Sequence, residues 1–308
     1  MKLLISGGNG FLGSHLVKKA IERGFDITVV DDMSTMQTNN LNKEVKLVKK
    51  KVEDFMPDGN FDFVIHFAAR PSPEDYIIHP VDTLLSNSTG TLNMLNIAKK
   101  SGAVFLYTSS SEVYGNASVI PTPETYFGYV NPNGIRSCYD EGKRYSEALI
   151  MAYQREYKID VRIERPFNVY GPGIRPDGLY GRVIPRFILN ALKDEDLPIF
   201  GDGNQTRSFL YIDDWLDATW KFLNATEMSG QVFNIGSDIE ITINSLAKSI
   251  IDLTGSHSKI LHLDPREDDP FRRSADISKI RKLLGWEPKV PLEVGLEKTI
   301  KWVKEKYL

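Results

Sequence analysis

The chain has 308 residues, of which 41% are hydrophobic and 26% are charged, and its formal net charge is -3. This profile is typical of a globular protein, and without a sustained basic stripe it argues against a nucleic-acid partner. Cys138 is the only cysteine, which excludes an intrachain disulfide. No run approaches the roughly 20 apolar residues that span a bilayer, and the N-terminus lacks a signal-peptide core, so we expect a cytoplasmic protein without membrane contact.

Strand and helix patterns alternate along the first half of the chain. In order they are KLLIS, SHLVKKAIERG, DITVVDD, EVKLVKK, FDFVIHFAA, TLLSNSTGTLNMLNIAKKSG and VFLYTSS. Strands separated by helices indicate a doubly wound parallel sheet, and continuous apolar strands indicate that both of its faces are covered. We therefore predict an α/β fold with a Rossmann-type sheet.

The second half of the chain predicts a smaller domain that interleaves with the first. A helical pattern over 139–157 precedes the buried strand DVRIERPFNVYG, and a further helix is expected around RVIPRFILNALK. WLDATWKFLNA and GQVFNIGS predict one more helix and strand that return to the main sheet. We expect one domain over 1–166, rejoined by 208–238, and a C-terminal substrate-binding domain over 167–207 and 239–308.

A glycine-rich turn follows the first strand. Gly7, Gly10 and Gly13 open the first helix, and Gly8, Gly10 and Gly13 satisfy the G-x-G-x-x-G spacing. Such glycines permit a tight turn and place a pyrophosphate at the helix N-terminus. Eighteen residues after Gly13, Asp31 can accept hydrogen bonds from ribose hydroxyls. Its charge repels a 2′-phosphate and DDMSTMQTNN contains no arginine, so the pattern favours NAD over NADP.

Tyr139 and Lys143 are four residues apart on a predicted helix, so their side chains share one face. A nearby ammonium and the positive nicotinamide ring lower the cost of a phenolate, which lets the tyrosine act as a base near neutral pH. SSSEVYG follows the strand VFLYT at a carboxyl end of the sheet, where open α/β folds keep their sites. We therefore predict a hydride-transfer site around Tyr139.

GGNGFLG, HFAA, SSSEVYG, the Tyr139–Lys143 spacing and RPFNVYGP together resemble the extended short-chain dehydrogenase/reductase family. The resemblance covers nearly the whole chain and implies an enzyme that modifies nucleotide sugars, keeps NAD bound and returns the hydride it takes. It implies that Ser110 hydrogen-bonds the sugar hydroxyl, that Lys143 also holds the nicotinamide ribose, and that Asn87 lies beside the cofactor. The expected cofactor-binding residues are Gly7, Gly10, Phe11, Leu12, Asp31, Asp32, Ser34, Val52, Phe67, Ala68, Ala69, Asn87, Tyr139, Lys143 and Pro166.

Ser111 and Glu112 distinguish the reactions within this family. The 4,6-dehydratases resemble one another in having aspartate then glutamate there, whereas UDP-galactose 4-epimerases typically have two small neutral residues. Without an acid at 111, expulsion of a 6-hydroxyl lacks its proton donor, and Glu112 is superfluous for epimerisation. The Ser–Glu pair, with NPNGIRSCYDEGKR, NQTRSFLY and EDDPFRRSADI, most resembles the decarboxylase branch, which converts UDP-glucuronate to UDP-xylose without a metal.

That resemblance implies roles for residues of the C-terminal half. Glu112 and Arg273 are expected to face C5 and the departing carboxylate, with Arg273 supplying positive charge or a proton. Arg207 and Asn168 are expected to hold the diphosphate, with Arg207 suited to bidentate contact, and Val183 is expected to contact the substrate.

Two other functions stay open at the level of sequence. Pro166 in RPFN is closer to the pattern of a UDP-hexose 4-epimerase, and the fold also serves a non-catalytic protein that binds NAD or a nucleotide sugar. The resemblance further implies a homodimer, formed by the helix with Asn93 and Met94 and the Tyr139 helix, although burial within one subunit explains the same apolar spacing. Lys51 stands where many relatives place an adenine-contacting aspartate.

Overall fold

A computed structural model describes residues 1–35, 41–178, 182–265 and 270–308. The strands are β1 (Lys2–Ser6), β2 (Asp26–Asp31), β3 (Lys46–Lys49), β4 (Phe63–His66), β5 (Val104–Thr108), β6 (Val161–Pro166), β7 (Val169–Tyr170), β8 (Leu197–Phe200), β9 (Thr206–Ser208), β10 (Leu210–Tyr211), β11 (Gln231–Ile235), β12 (Glu240–Thr242), β13 (Ile260–Leu263) and β14 (Arg272–Arg273). The α-helices are α1 (Phe11–Glu22), α2 (Pro73–Ile78), α3 (Pro80–Asn87), α4 (Thr89–Ser101), α5 (Ser137–Tyr157), α6 (Val183–Leu192), α7 (Ile212–Asn224), α8 (Ile243–Thr254), α9 (Ser278–Leu284) and α10 (Leu292–Tyr307). Short 3-10 turns cover Val52–Asp54 and Ser111–Tyr114.

Seven of the strands form one sheet in the order β11-β6-β5-β4-β1-β2-β3. The pairs β1–β2, β2–β3, β1–β4, β4–β5 and β5–β6 are all parallel. Read from β3 to β6 this is the Rossmann order, in which the sheet changes its direction of growth between β1 and β4. The predicted doubly wound α/β fold is therefore confirmed. Ligands of such folds bind outside the carboxyl ends of the strands, at this switch point.

The central strands are buried on both faces. Leu3, Leu4 and Ile5 follow one another in β1, and each has an exposed fraction of 0%. Because consecutive strand residues point to opposite faces, complete burial of all three requires cover on both sides of the sheet. Met94 of α4 is also fully buried in the core around these strands, so burial within the chain accounts for it.

The contacts within the chain divide it into two compact units. The first contains Met1–Val113, Ile135–Arg165 and Thr219–Phe233, and the second contains Tyr114–Gly134, Pro166–Ala218 and Asn234–Leu308. None of the helices in the described ranges is long and apolar enough to cross a membrane.

The two units differ from the predicted domain boundaries in two places. Residues 114–134 belong to the second unit, because Thr122 forms a parallel bridge with Ala275 and its N–H donates to the Ser274 carbonyl. The segment that rejoins the first unit is shorter than 208–238, since β10 pairs in parallel with β7 inside the second unit. The assignment of the predicted domains to cofactor and substrate stays a prediction.

Small sheets and helices build the second unit. Strand β9 pairs antiparallel with β12 and parallel with β14, and β8 pairs in parallel with β13. Helix α6 forms where the sequence RVIPRFILNALK predicted a helix, and it packs on α8 and α10. The pairing of β9 with β14 determines where two of the predicted substrate residues lie.

Candidate active site

The glycine turn between β1 and α1 requires glycine for steric reasons. Gly7 has a φ of 68°, and a Cβ on it would lie 2.7 Å from the Ala68 nitrogen. A Cβ on Gly13 would lie 2.3 Å from the Gly7 carbonyl oxygen, closer than real side chains approach. On Gly10, the N-cap of α1, a Cβ would meet only one described atom within 4 Å, the Gly7 oxygen at 3.3 Å. The turn is therefore tight on the protein side and open at the helix N-terminus, which fits a pyrophosphate.

Asp31 ends β2 directly beside this turn. Its carboxylate accepts hydrogen bonds from the backbone N–H of Asn9 at 3.0 Å and of Met33 at 2.9 Å. Burial raises the pKa of Asp31, and these two N–H donors act in the opposite direction. A carboxylate has about four acceptor positions, so capacity remains for two ribose hydroxyls. Asp31 therefore suits the adenosine ribose.

Asp32 and Ser34 form the next turn, where Asp32 accepts from the backbone N–H and the hydroxyl of Ser34 at 2.9 and 2.6 Å. Residues 36–40 of the arginine-free segment DDMSTMQTNN lie outside the described part of the chain. Lys51, in the place of the expected adenine-contacting aspartate, forms an exposed ion pair with Asp82 at 3.1 Å. Asp31 and Asp32 thus add negative charge at the end of β2.

The remaining predicted cofactor residues lie on several elements of the chain. Within the first unit Phe11 and Leu12 begin α1, Val52 begins a 3-10 turn, Phe67, Ala68 and Ala69 follow β4, and Asn87 ends α3. Pro166 ends β6 and belongs to the second unit.

Tyr139 and Lys143 lie in the first turns of α5, and both are buried. The Lys143 ammonium donates to the Thr108 carbonyl oxygen at 2.8 Å, at the end of β5, and its Nζ lies 5.8 Å from the Tyr139 ring centroid. Burial lowers the pKa of Lys143 from 10.5 to about 7. The spacing therefore places a titratable amine beside the tyrosine ring, as predicted for one helix face.

Asn87 packs against α5 next to Lys143. Its side-chain amide donates to the Thr83 carbonyl at 2.8 Å, and its carbonyl oxygen accepts from the Tyr107 hydroxyl at 3.2 Å. A Cβ on Gly142 would lie 3.2 Å from the Asn87 Cβ, so the glycine allows α3 and α5 to approach closely. Asn87 is fully buried in this contact.

Ser110, Ser111 and Glu112 follow β5 and are joined to α5. The Ser110 hydroxyl accepts from the Glu112 backbone N–H at 3.2 Å. The Glu112 carboxylate accepts from the Arg136 guanidinium, with 2.5 Å between Oε2 and Nη2. Arg144 of α5 donates to the Val113 carbonyl at 3.0 Å. Basic side chains thus attach the helix that carries Tyr139 to the turn that carries Glu112.

Arg136 and Tyr76 were not among the predicted site residues. Arg136 caps α5 and lies in NPNGIRSCYDEGKR, three residues before Tyr139, which was a usable signal in the sequence. The Tyr76 ring stacks on the Tyr139 ring, with 5.2 Å between centroids and an angle of 8° between planes. Tyr76 lies in PSPEDY, and no periodicity singles it out because its partner is far away along the chain.

The second unit brings together three predicted substrate residues. Arg273 of β14 is the register partner of Arg207 of β9, and both are buried. The Arg207 guanidinium donates to the Thr206 carbonyl oxygen at 2.9 Å. The Asn168 amide donates to the Ser208 carbonyl at 2.9 Å, next to Arg207 in the chain. Val183, which begins α6, is the fourth predicted substrate residue and also belongs to this unit.

Three comparisons with known proteins bear on this arrangement. A family model described as "NAD dependent epimerase/dehydratase family" matches residues 3–236. UDP-glucuronic acid decarboxylase 1 of Xenopus tropicalis is 41% identical over 99% of this chain and 72% of that protein. Among solved structures, UDP-glucose 4-epimerase of Thermotoga maritima with UDP-glucose has a TM-score of 0.92 and 32% identity, covering 100% of both chains. UDP-glucuronic acid 4-epimerase of Bacillus cereus, in complex with a fluorinated UDP-glucuronic acid and NAD, has a TM-score of 0.89 and 29% identity, again covering 100% of both chains.

Proposed function

The chain belongs to the NAD dependent epimerase/dehydratase family, and from this membership we propose that it decarboxylates UDP-glucuronate to UDP-xylose. The family match confirms the resemblance drawn from the sequence, together with the predicted enzyme class and NAD dependence. The reaction is a proposal about this chain, and it is the activity named for its relatives of about 41% identity.

The Ser110–Glu112 turn is the observation that carries the proposal. It follows β5 after one intervening residue and is attached to the Tyr139 helix by the contact between Glu112 and Arg136. A serine at 111 leaves a dehydratase without its proton donor, whereas a carboxylate at 112 has no task in an epimerase. Loss of carbon dioxide from C5 is the family reaction that accounts for both residues.

The proposed reaction begins at C4 of the sugar. NAD, when bound, supplies the two-electron acceptor for the hydrogen on C4 and the donor that later restores it. Tyr139 takes the proton of the C4 hydroxyl, Ser110 hydrogen-bonds the same oxygen, and the Lys143 ammonium favours the phenolate. The C4 ketone is β to the C6 carboxylate, so the C5–C6 bond breaks and its electron pair passes into an enolate as carbon dioxide leaves. C5 then gains a proton that comes ultimately from solvent, and Tyr139 returns its own proton to the C4 oxygen, so the net reaction consumes one solvent proton.

The residues that would hold NAD are those of the glycine turn and the strand ends. The N-terminus of α1 at Gly10 suits the pyrophosphate, Asp31 suits the adenosine ribose, and Lys143 suits the nicotinamide ribose. Phe11, Leu12, Asp32, Ser34, Val52, Phe67, Ala68, Ala69, Asn87 and Pro166 complete the proposed set.

In the second unit we assign the diphosphate to Arg207 and Asn168 and the departing carboxylate to Arg273. Two arginines in register on neighbouring strands place positive charge at one location, which favours a multiply charged anion. Val183 is proposed as a further substrate contact.

Incubation of the purified protein with UDP-glucuronate tests the proposal directly. We expect release of carbon dioxide and formation of UDP-xylose, measured with and without added NAD. The matched control is Tyr139→Phe, which keeps the ring and removes the proton carrier, so its rate should fall by orders of magnitude. A protein that releases no carbon dioxide with or without added NAD does not have this function.

A 4-epimerase is the second candidate, suggested by Pro166 and by the likeness to a solved UDP-glucose 4-epimerase. The chain is more similar in sequence to UDP-glucuronic acid decarboxylases than to this epimerase, so the comparisons do not favour the epimerase. It predicts interconversion of UDP-glucose and UDP-galactose, which the same incubations detect by chromatography. A non-catalytic binding protein would be unaffected by Tyr139→Phe in any function it has.

We further propose that the protein is a cytoplasmic homodimer. Apolar or aromatic side chains are exposed on three neighbouring helices of the first unit, namely Leu84 on α3, Leu92 on α4 and Tyr145 on α5. The Asn93 amide is already used within the chain, where it donates to backbone carbonyls at 2.8 and 2.7 Å. Light scattering of the purified protein tests the dimer, and fractionation of cells tests the compartment.

A further inference from the structure

Arg136 contacts both the start of α5, which carries the proposed C4 base Tyr139, and the turn after β5, which carries Glu112 and is proposed to face C5. Its carbonyl oxygen accepts from the backbone N–H of Tyr139 at 3.0 Å, in the first turn of α5. Its guanidinium donates to Glu112, on the turn after β5. A single residue therefore connects the backbone at the proposed C4 base with the side chain proposed to face C5.

The contact between Arg136 and Glu112 is a close ion pair with limited access to water. Only 12% of the Arg136 side chain and 17% of the Glu112 side chain are exposed, and Nη2 and Oε2 are 2.5 Å apart. Charge-assisted hydrogen bonds of this kind fix both partners, and an adjacent guanidinium favours the ionised form of a carboxyl group.

Other charged and titratable groups surround this pair. On α5, the Asp140 carboxylate lies 3.9 Å from Arg136 Nε, and Tyr139 is one residue before it. From α2, Tyr76 stacks on Tyr139, and burial raises its pKa so that its hydroxyl stays protonated. The Arg136 guanidinium thus lies between the carboxylates of Glu112 and Asp140. Removing it leaves both carboxylates without that charge and makes protonation of Glu112 easier.

We propose that Arg136 is a positioning residue that keeps Glu112 ionised and oriented, so that Glu112 enters the reaction as a carboxylate. This inference rests on the proposed decarboxylation. An ionised Glu112 has no proton to give, so it does not protonate C5. Its negative charge instead faces the substrate carboxylate, and loss of carbon dioxide relieves that repulsion.

The pH dependence of kcat tests this role. In Arg136→Gln the acid limb of the profile should move to higher pH by about 1–3 units, because an adjacent arginine shifts a carboxyl group by that amount. The rate of Arg136→Gln should return towards the wild-type value at high pH. In Arg136→Lys, which keeps a positive charge, the acid limb should lie close to its wild-type position. Arg144→Gln is the matched control, since Arg144 binds the same turn through a carbonyl oxygen. It should leave the acid limb in place.

A second measurement keeps the test independent of folding. In a Glu112→Gln background, adding Arg136→Gln should cause no further loss, because Arg136 acts through Glu112. An equal loss at every pH, an acid limb that does not move, or a full additional loss in the double variant would each overturn the proposal. So would higher activity of Arg136→Gln at neutral pH, the behaviour expected if protonated Glu112 were the acid. Carbon dioxide release by the wild type is measured first, so failure of the decarboxylase function itself is recognised separately.

Discussion

Replacing Lys143 with methionine tests whether the buried amine titrates near neutral pH. Lys143 as a residue is 2% exposed, and burial lowers the pKa of its side chain from 10.5 to about 7. The unfolded chain keeps this proton to a pH of about 10.4, so between the two pKa values the unfolded state binds one more proton than the folded state. The contribution of Lys143 to stability therefore rises with pH in this window, and below pH 7 the folded state carries the full penalty of a buried charge.

The structure gives the size of this effect. A shift of about 3.5 units corresponds to on the order of 5 kcal/mol over the whole window, at 1.36 kcal/mol per unit. Between pH 7 and pH 9 the wild-type free energy of unfolding should gain about 2 kcal/mol from this group. Lys143→Met has no such titration, so its stability relative to the wild type should be greatest near pH 6 and decline towards pH 9. The lost hydrogen bond to the Thr108 carbonyl offsets the gain by about 1.5–3 kcal/mol at low pH.

Urea unfolding of cofactor-free protein at pH 6, 7 and 9 measures this difference without a contribution from cofactor binding. Lys301→Met, at an exposed position on α10, is the control and should follow the wild type at every pH. Parallel changes in the wild type and Lys143→Met between pH 7 and pH 9 would refute the reasoning. The same variant should lose decarboxylation by orders of magnitude, because it removes the proposed partner of Tyr139.

Three further substitutions have defined outcomes. Gly13→Ala should abolish NAD binding, measured by absorbance of the bound cofactor, since its Cβ would lie 2.3 Å from the Gly7 oxygen; retained affinity would contradict the close packing. Asp31→Asn should weaken NAD by about tenfold and reduce the preference over NADP, because one charged acceptor is lost; an unchanged ratio of the two dissociation constants would exclude the proposed ribose contact. Tyr76→Phe should retain the wild-type activity, and its free energy of unfolding should stay within about 1 kcal/mol of the wild-type value. The reason is that the buried Tyr76 hydroxyl has no hydrogen-bond partner among the described residues. A large loss in that variant, with Tyr76→Leu as the comparison that also removes the stacking, would mean that a ligand uses the hydroxyl.

Local and periodic features of the sequence were sufficient to predict the fold class and the relative placement of the residues that we propose as the centre of the site. The order of strand, glycines, helix and acid predicted the turn at Gly7–Gly13 and the place of Asp31. The spacing of Tyr139 and Lys143 predicted their common helix face. These features are readable because each depends on neighbours within a few helical turns or on one connection between strands.

Only the tertiary structure decided which distant residues meet. Glu112 and Arg136 pair because α5 begins beside the turn after β5, and Arg207 and Arg273 share a register because β14 pairs with β9. Residues 114–134 join the second unit for the same kind of reason, through the bridge from Thr122 to Ala275. The low pKa of Lys143 likewise follows from complete burial, which its four-residue spacing does not reveal. Spacing along the chain constrains contacts within one element, whereas strand order and burial determine the electrostatic environment in which those residues act.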